Sequence, residues 1–437
     1  MSTIESVHGR RVWDSRGNPT VEAEVRLESG AIGRAIAPAG ASRGSREAVD
    51  LRDKGQSQRG LDVKTAVRNV SNRIAPVLKG LDVTDQRGID AAMLAVDASP
   101  TKSSLGGNAT VAVSMAAMRA AAEDADVPLW KHVADHYGTK PKLPLPEIQV
   151  FGGGAHASRR TDIQDFMVMV PGAPTIDEAF DITAEIYHAA GAIMSRRGRL
   201  AGVADEGGWW PEFESNEEAL ATLSEAIIRA GETPGDRVVI SLDVAASEFF
   251  DNDVYSLALE DRSLSGDDLS DVLSQWLSDY AIASVEDPMG EADDAGMIAF
   301  TTKHGDRLQI IGDDYLVTNA ELVGSAARNG ACNAVLLKPN QVGTISETVD
   351  CFLAARAAGW GAIVSARSGE TEDTFISHLA TGLGTGQLKV GSFARSERMA
   401  KWNECLRIAE DPDVGGFVGA EPLAGTWWAK QEKGVKP

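Results

Sequence analysis

Three acidic residues and two lysines in this chain stand in or just after short apolar runs. VVISLDVA carries Asp243, AIASVEDP carries Glu286, LQIIGDD carries Asp313, AVLLKPN carries Lys338 and GQLKVG carries Lys389. A single acid in that place most often caps the helix that follows. Three brought to one point would repel one another unless a cation lay among them. An oxygen ligand set without His or Cys suits Mg²⁺ better than Zn²⁺. A lysine beside such a cation and a second lysine is expected to have a lowered pKa, which suits a general base; taken alone, either lysine would simply pair with an acid. Glu206, in ADEGG, has glycines after it that let backbone approach closely, and it is placed to protonate a leaving group. His156 in GGGAHASRR, and Arg367 and Ser368 after AIVSA, offer contacts to a phosphoryl or carboxylate group. The sequence has no P-loop, GxSxG elbow or CxxC pair, so the chemistries those motifs support have no footing.

The elements that must position these groups are legible in the texture of the chain. After the Pro-rich connector Leu143–Glu147, short β-branched runs alternate with helical stretches, and the ends of these runs recur at intervals of 23 to 43 residues. One βα unit of a (β/α)₈ barrel takes about 30 residues, and barrel active sites gather at the C-terminal ends of the strands. A closed ring makes those ends converge, which an open doubly wound sheet does less easily. Ahead of the connector, the alternation Val21, Glu22, Ala23, Glu24, Val25 reads as a half-buried strand. Residues 63–134 read as helical, with Asn108–Ala122 as a buried helix packed as plain core. The expected division is therefore an α+β domain over residues 1–142 and a barrel over residues 143–437.

Bulk properties narrow the partners. The chain has 437 residues and a net charge of −22, which argues against binding nucleic acid or an anionic membrane without specific sites. An acidic protein that takes an anionic substrate needs local cations. Cys332, Cys351 and Cys405 are widely spaced and read as reduced thiols, which with the polar opening Met1–Glu5 gives an expectation of a cytoplasmic protein. No apolar run approaches the length of about 18 residues that a membrane helix needs.

Taken together, these segments resemble the enolase superfamily over nearly the whole chain. DSRGNPTVE at Asp14–Glu22 is similar to the enolase N-terminal signature, and GASRG at Gly40–Gly44 to its metal-binding loop. DEGG, SLDVAASEF, VEDP, GDD, LLKPNQVGT, SARSGETEDTF and GQLKVGSFARSER follow in the family's order, of which LLKPNQVGT and RSGETED are the specific signals. The resemblance implies an enolase-type (β/α)₈ barrel of ββααβαβα order with an N-terminal α+β domain. It implies two Mg²⁺ per site, one on Asp243, Glu286 and Asp313 and a second joined by Ser42. Lys338 would be the base, Glu206 the acid with Asp165 in the same catalytic group, and Lys389 the neutraliser of a substrate carboxylate. Arg367 and Ser368 would hold phosphate, with His156 and Gln164 near the substrate. The family also implies a homodimer or larger assembly of dimers, with Glu22 and Arg407 as the pair between subunits.

Several positions depart from the family pattern, and most of the departures share a direction. SHRSGE reads SARSGE, so Ala366 stands at an imidazole position, and the glutamate of QEF is Asp165. Both changes remove volume. Arg43, Arg46 and Arg159 add positive charge to the loops, and Trp209 and Trp210 follow DEGG where the family has a small-Pro-Asn stretch. A larger and more anionic second ligand would fit, with Arg43 and Arg159 binding it and the tryptophans stacking on a nucleotide, although packing is their commoner role. The carboxyphosphonoenolpyruvate synthase branch of phosphinothricin-type biosynthesis resembles this pattern. It joins a phosphonoformyl group from a cytidylylated donor to the enolpyruvate skeleton of 2-phosphoglycerate. The sequence favours that branch, with ordinary glycolytic enolase as the alternative and a binding protein that only retains the fold as a third reading.

Overall fold

Buried Val21, Ala23 and Val25 alternate with half-buried Glu22 and Glu24, and this period-two pattern forms a strand. A computed structural model, describing residues 2–432, makes it the middle strand of an antiparallel sheet. The sheet comprises β1 (Ile4–Trp13), β2 (Pro19–Leu27) and β3 (Ile32–Ile36). The helix Gly107–Asp124, buried along most of its length, lies on this sheet. Gly33 is where the two approach most closely: a Cβ there would sit 2.1 Å from the Ala116 carbonyl oxygen. The helical reading of residues 63–134 agrees with five helical segments between Lys64 and Tyr137. The ends of the expected domain ranges, Met1 and residues 433–437, lie outside the described residues.

Eight strands close the barrel: β4 (Leu145–Gly152), β5 (Asp165–Met169), β6 (Val239–Asp243), β10 (Ile282–Glu286), β11 (Gln309–Gly312), β12 (Ala334–Leu337), β13 (Gly361–Ser365) and β14 (Gly386–Ser392). Between β6 and β10 a small antiparallel finger emerges, made of β7 (Phe250–Asp251), β8 (Val254–Leu257) and β9 (Arg262–Leu264). β5 runs antiparallel to both β4 and β6, while the other neighbouring pairs are parallel. Two helices, Ile176–Arg196 and Asn216–Arg229, separate β5 from β6, which gives the atypical ββαα opening of the barrel. Capping explains where both helices start: Thr175 and Ser215 accept from the backbone N–H of Glu178 and Glu218 respectively, and acids occupy each first turn.

The strand ends fall as the spacing predicts for Asp243, Glu286, Asp313 and Lys338, each the last strand residue or the next one. Lys389 differs. It lies inside β14, in register with Ser365 on one side and Glu147 on the other. The reason is β4, eight residues long, whose ladder with β14 continues to Ser392 opposite Gln149. Hydrogen bonds between strands that are not neighbours run through the barrel interior: Ser241 donates to Glu147, and Gln309 Nε2 to Gln387 Oε1 at 2.6 Å. Cys332, Cys351 and Cys405 are free and buried. Among the described residues, no helix is long and apolar enough to cross a membrane.

Candidate active site

The C-terminal ends of the barrel strands face the loop that follows β3, and the two are stitched together. Ala39 and Gly369 exchange both backbone hydrogen bonds at 2.8 Å, and Ser368 Oγ accepts from the Ala41 N–H at 2.7 Å. A small cleft remains beneath the loop. Ser42, His156, Glu206, Lys338, Arg367 and Lys389 line it, with Asp165, Gln164, Asp243, Ala366 and Ser368 completing its wall.

Lys389 holds the centre of the acidic group. Its Nζ lies 2.7 Å from Asp243 Oδ2, 2.7 Å from Glu286 Oε2 and 3.7 Å from Asp165 Oδ2. Burial works to lower its pKa, but the Asp243, Glu286, Asp165 and Glu147 charges outweigh burial and raise it. Lys338 is ion-paired with Asp313, whose other oxygen accepts from Gln341 Nε2 at 2.9 Å. Paired with Asp313, Lys338 has a raised pKa, because burial is opposed by the adjacent carboxylate and that charge prevails; the lowering expected from the sequence is for a lysine beside a bound cation. Asp313 is correspondingly held low: burial disfavours its charge, and Lys338 more than offsets this.

On the opposite wall His156 stands between two carboxylates, with Nδ1 3.3 Å from Asp165 Oδ1 and Nε2 3.7 Å from Glu206 Oε1. Burial pulls the imidazole down, yet Glu206 and Asp165 push it up to about 9. Burial likewise opposes the Asp165 charge, but His156 holds that carboxyl at about 2. Gln149 donates to Asp165 and accepts the Gly208 N–H at 2.9 Å, so one amide fixes both the acid and the DEGG turn.

Among the described residues, two groups of side chains bring their ligand atoms within 4.8 Å of one another and have the composition to coordinate a divalent metal: His156, Asp165 and Glu206, and Asp287, Asp313 and Asp314. The trio expected from the strand ends, Asp243, Glu286 and Asp313, is not among these tight groups. Lys389 bridges Asp243 and Glu286, and Lys338 pairs with Asp313, so lysine charge stands between those carboxylates. Asp287 is committed to the backbone, accepting the N–H groups of Asp313 and Asp314 at 2.9 and 2.7 Å. The fully buried Glu286 is different. Its Oε1 has no hydrogen-bond partner, and burial with the nearby Asp243 charge pushes its pKa well up. An orphaned carboxylate oxygen among hard oxygen donors is the chemistry a divalent cation satisfies, so the residues present fit Mg²⁺.

Arg367 lines the cleft with its fork held by Glu47, at 3.0 Å from NH1 and 3.2 Å from NH2, while NH2 also donates to the Ser42 carbonyl at 2.9 Å. Two expected contacts are not brought to the site. Arg43 lies 3.8 Å from Asp50, with its side chain 46% exposed, and Arg159 pairs with Glu248 in the turn leading into the finger. Neither lines the cleft. Trp209 is not free to stack on a ligand either: its indole donates to the Tyr187 carbonyl at 2.8 Å and stacks on the Tyr187 ring at 4.7 Å. Arg46 donates to the Tyr315 carbonyl at 2.8 Å. Glu22 pairs with Arg10, and Arg407 with Glu404 at 2.6 Å.

Sequence reasoning missed Glu47, Gln341 and Arg398. The fully buried Arg398 donates to the carbonyls of Arg367, Ser368 and Val390 at 2.6, 2.5 and 2.9 Å, holding the Arg367–Ser368 turn. Gln341 lies in LLKPNQVGT and Arg398 in FARSER, so both motifs were visible without revealing what the side chains bind.

Comparison with known proteins accords with this geometry. Residues 4–133 match the family model described as enolase, N-terminal domain, and residues 140–422 match the one described as enolase, C-terminal TIM barrel domain. The chain is similar to a protein named Enolase 1 from Desulfitobacterium hafniense (strain Y51), at 46% identity over 427 residues, covering 95% of this chain and 97% of that relative.

Proposed function

This chain belongs to the enolase family and acts as a lyase-type enzyme on a phosphorylated small molecule, and we propose that its reaction is the dehydration of 2-phosphoglycerate to phosphoenolpyruvate. The observation that carries this reading is the placement of Lys338 and of the His156–Glu206 pair around one small cleft that Arg367 and Lys389 also line. The sequence alone favoured the synthase branch. The extent of the match to Enolase 1 supports the simpler reaction instead.

In this reading the substrate carboxylate lies toward Lys389 and its phosphate toward Arg367 and Ser368. Arg367 is preset for phosphate because Glu47 and the Ser42 carbonyl already fix its fork. Lys338 takes the proton from the carbon bearing the carboxylate. The C–H pair becomes the new C=C bond, the C–O pair leaves with the hydroxyl, and a proton from Glu206 completes the water; Lys338 then returns its proton to solvent and Glu206 regains one. Asp243, Glu286 and Asp313, with Ser42, would hold Mg²⁺; bound there, the metal supplies positive charge to the carboxylate as negative charge builds on it. Asp313 engaged as a ligand would no longer be free to raise the Lys338 pKa, and the neutral amine that a base needs would then be accessible. The superfamily is a standing example of a Lys or His base working with Mg²⁺ on an ene-diolate, so that logic is general.

Ala366 favours a second reading. It lines the cleft at 6% exposure, at the imidazole position of the family motif, and there it leaves room beside the substrate. A synthase joining a phosphonoformyl group to the same skeleton would use that room. Ala366→His decides between them: under the synthase reading it shifts the enzyme toward simple dehydration, and under the hydratase reading it alters dehydration of 2-phosphoglycerate without unmasking it.

A further inference from the structure

The loop that carries His156 is strained at its tip and fastened by two arginines. Ser158 and Arg159 both adopt left-handed backbone conformations, with φ of +49° and +58°. Side-chain-bearing residues resist that region, and two in succession need outside support to persist. The base of the loop is anchored by hydrogen bonds to neutral donors, with no ion pair. Gly153 donates to the Gln164 carbonyl at 2.6 Å and Gly154 to that of Thr161 at 3.1 Å. Asp162 accepts from Asn216 Nδ2 at 2.8 Å and from the Ala258 N–H at 2.7 Å. The tip is held otherwise. Arg159 donates to Glu248 Oε2 at 2.8 Å and to the Glu248 carbonyl at 3.1 Å, which ties it to the turn leading into the β7–β9 finger. Arg160 is ion-paired with Glu212, six residues beyond Glu206. A backbone bond from the Asp205 N–H to the His156 carbonyl at 3.2 Å joins the same two segments near the chemistry.

We propose that Arg159 and Arg160 form an ionic clasp that seats the His156 loop against the Glu206 segment and the finger, and so sets the distance between His156 and Glu206. Arg159 is thereby a positioning residue rather than a contact to substrate. Both pairs are partly exposed, with arginine side chains 66% and 44% accessible. Exposed pairs are weak and screened by salt, each shifting an equilibrium by no more than about fivefold. The loop's seating is therefore poised and sensitive to ionic strength, unlike its base, which no ion pair holds.

The clasp rests on the proposed function only for its catalytic readout, so the test has two arms. Hydrogen exchange of peptides spanning residues 153–163 is compared among the wild type, R160E, E212R, the R160E/E212R swap and R159A/R160A. Steady-state turnover of 2-phosphoglycerate and melting temperature are measured on the same proteins. R160E is expected to speed loop exchange and to lower kcat about three- to fivefold with little change in melting temperature. The charge swap should restore both. Raising salt from about 20 mM to about 500 mM should speed loop exchange in the wild type and leave R159A/R160A nearly unchanged. Loop exchange in R160E equal to that of the wild type, or a swap that restores nothing, overturns the clasp. Loop exchange that responds as expected in proteins that never turn over 2-phosphoglycerate upholds the clasp and counts against the proposed reaction.

Discussion

His156 Nε2 lies 3.7 Å from Glu206 Oε1, so the imidazole that Asp165 orients also faces the acid expected to protonate the leaving group. This relation makes a pH prediction. His156 is raised to about 9, so its contribution to stability is fully present below the ordinary histidine value of about 6.5 and is lost as pH rises through about 9. Asp165 has the opposite sign: its contribution is present above about 3.9 and is lost as pH falls through about 2. Denaturant unfolding from pH 6 to pH 10 should show the alkaline loss in the wild type and not in His156→Gln. Equal slopes in the two proteins would remove the imidazolium from this account.

Lys338→Ala should lower exchange of the substrate α-proton with solvent deuterium by 10²-fold or more, in line with loss of a general base. Asp313 then loses its buried partner, at a cost of about 3 to 5 kcal/mol, so unfolding is measured beside exchange and a folded variant is required for the comparison. Exchange at the wild-type rate would dismiss Lys338 as the base.

Glu206→Gln separates the two halves of the reaction. Proton exchange should persist while elimination falls by roughly 10²- to 10⁴-fold, the usual range for losing a general acid. If both fall together, Glu206 does not act on the leaving group alone.

Asp243→Asn should weaken Mg²⁺ binding at least about tenfold, since hard divalent ions depend on ligand charge. Calorimetric titration of the purified protein reads this directly. Unchanged affinity would place the ion on another group, such as His156, Asp165 and Glu206.

Arg398→Met should destabilise the protein by about 3 kcal/mol or more, because three buried carbonyl groups lose a charged donor together. Urea unfolding measures it. A cost below about 1 kcal/mol would mean that water or a neighbour takes over those carbonyls.

The barrel was legible because strand ends carry a local signature: apolar β-branched runs that stop at Asp243, Glu286, Asp313 or Lys338. The atypical antiparallel β5 was legible only through family resemblance, since FMVM has no feature that states its direction. What sequence spacing did not carry was pairing. Lys338 and Asp313 are 25 residues apart and Arg367 and Glu47 are 320 apart, yet both pairs set local charge. That either lysine could pair with an acid was legible; that Lys338 takes Asp313 while Lys389 takes Asp243 and Glu286 was not. Arg159 lies away from the cleft for the same reason: its position in a glycine loop was visible, and its partner Glu248, in the turn before the finger, was not. Trp209 read as a stacking surface because its helix partner, Tyr187, lies 22 residues away.

The most direct measurement follows purified protein with 2-phosphoglycerate and Mg²⁺ by phosphorus NMR, with and without a cytidylylated phosphonoformate. The account predicts that phosphoenolpyruvate forms from 2-phosphoglycerate alone and that the second compound changes nothing. A 2-phosphoglycerate signal that stays intact until the second compound is added, and then gives way to a new phosphonate and CMP, would contradict it.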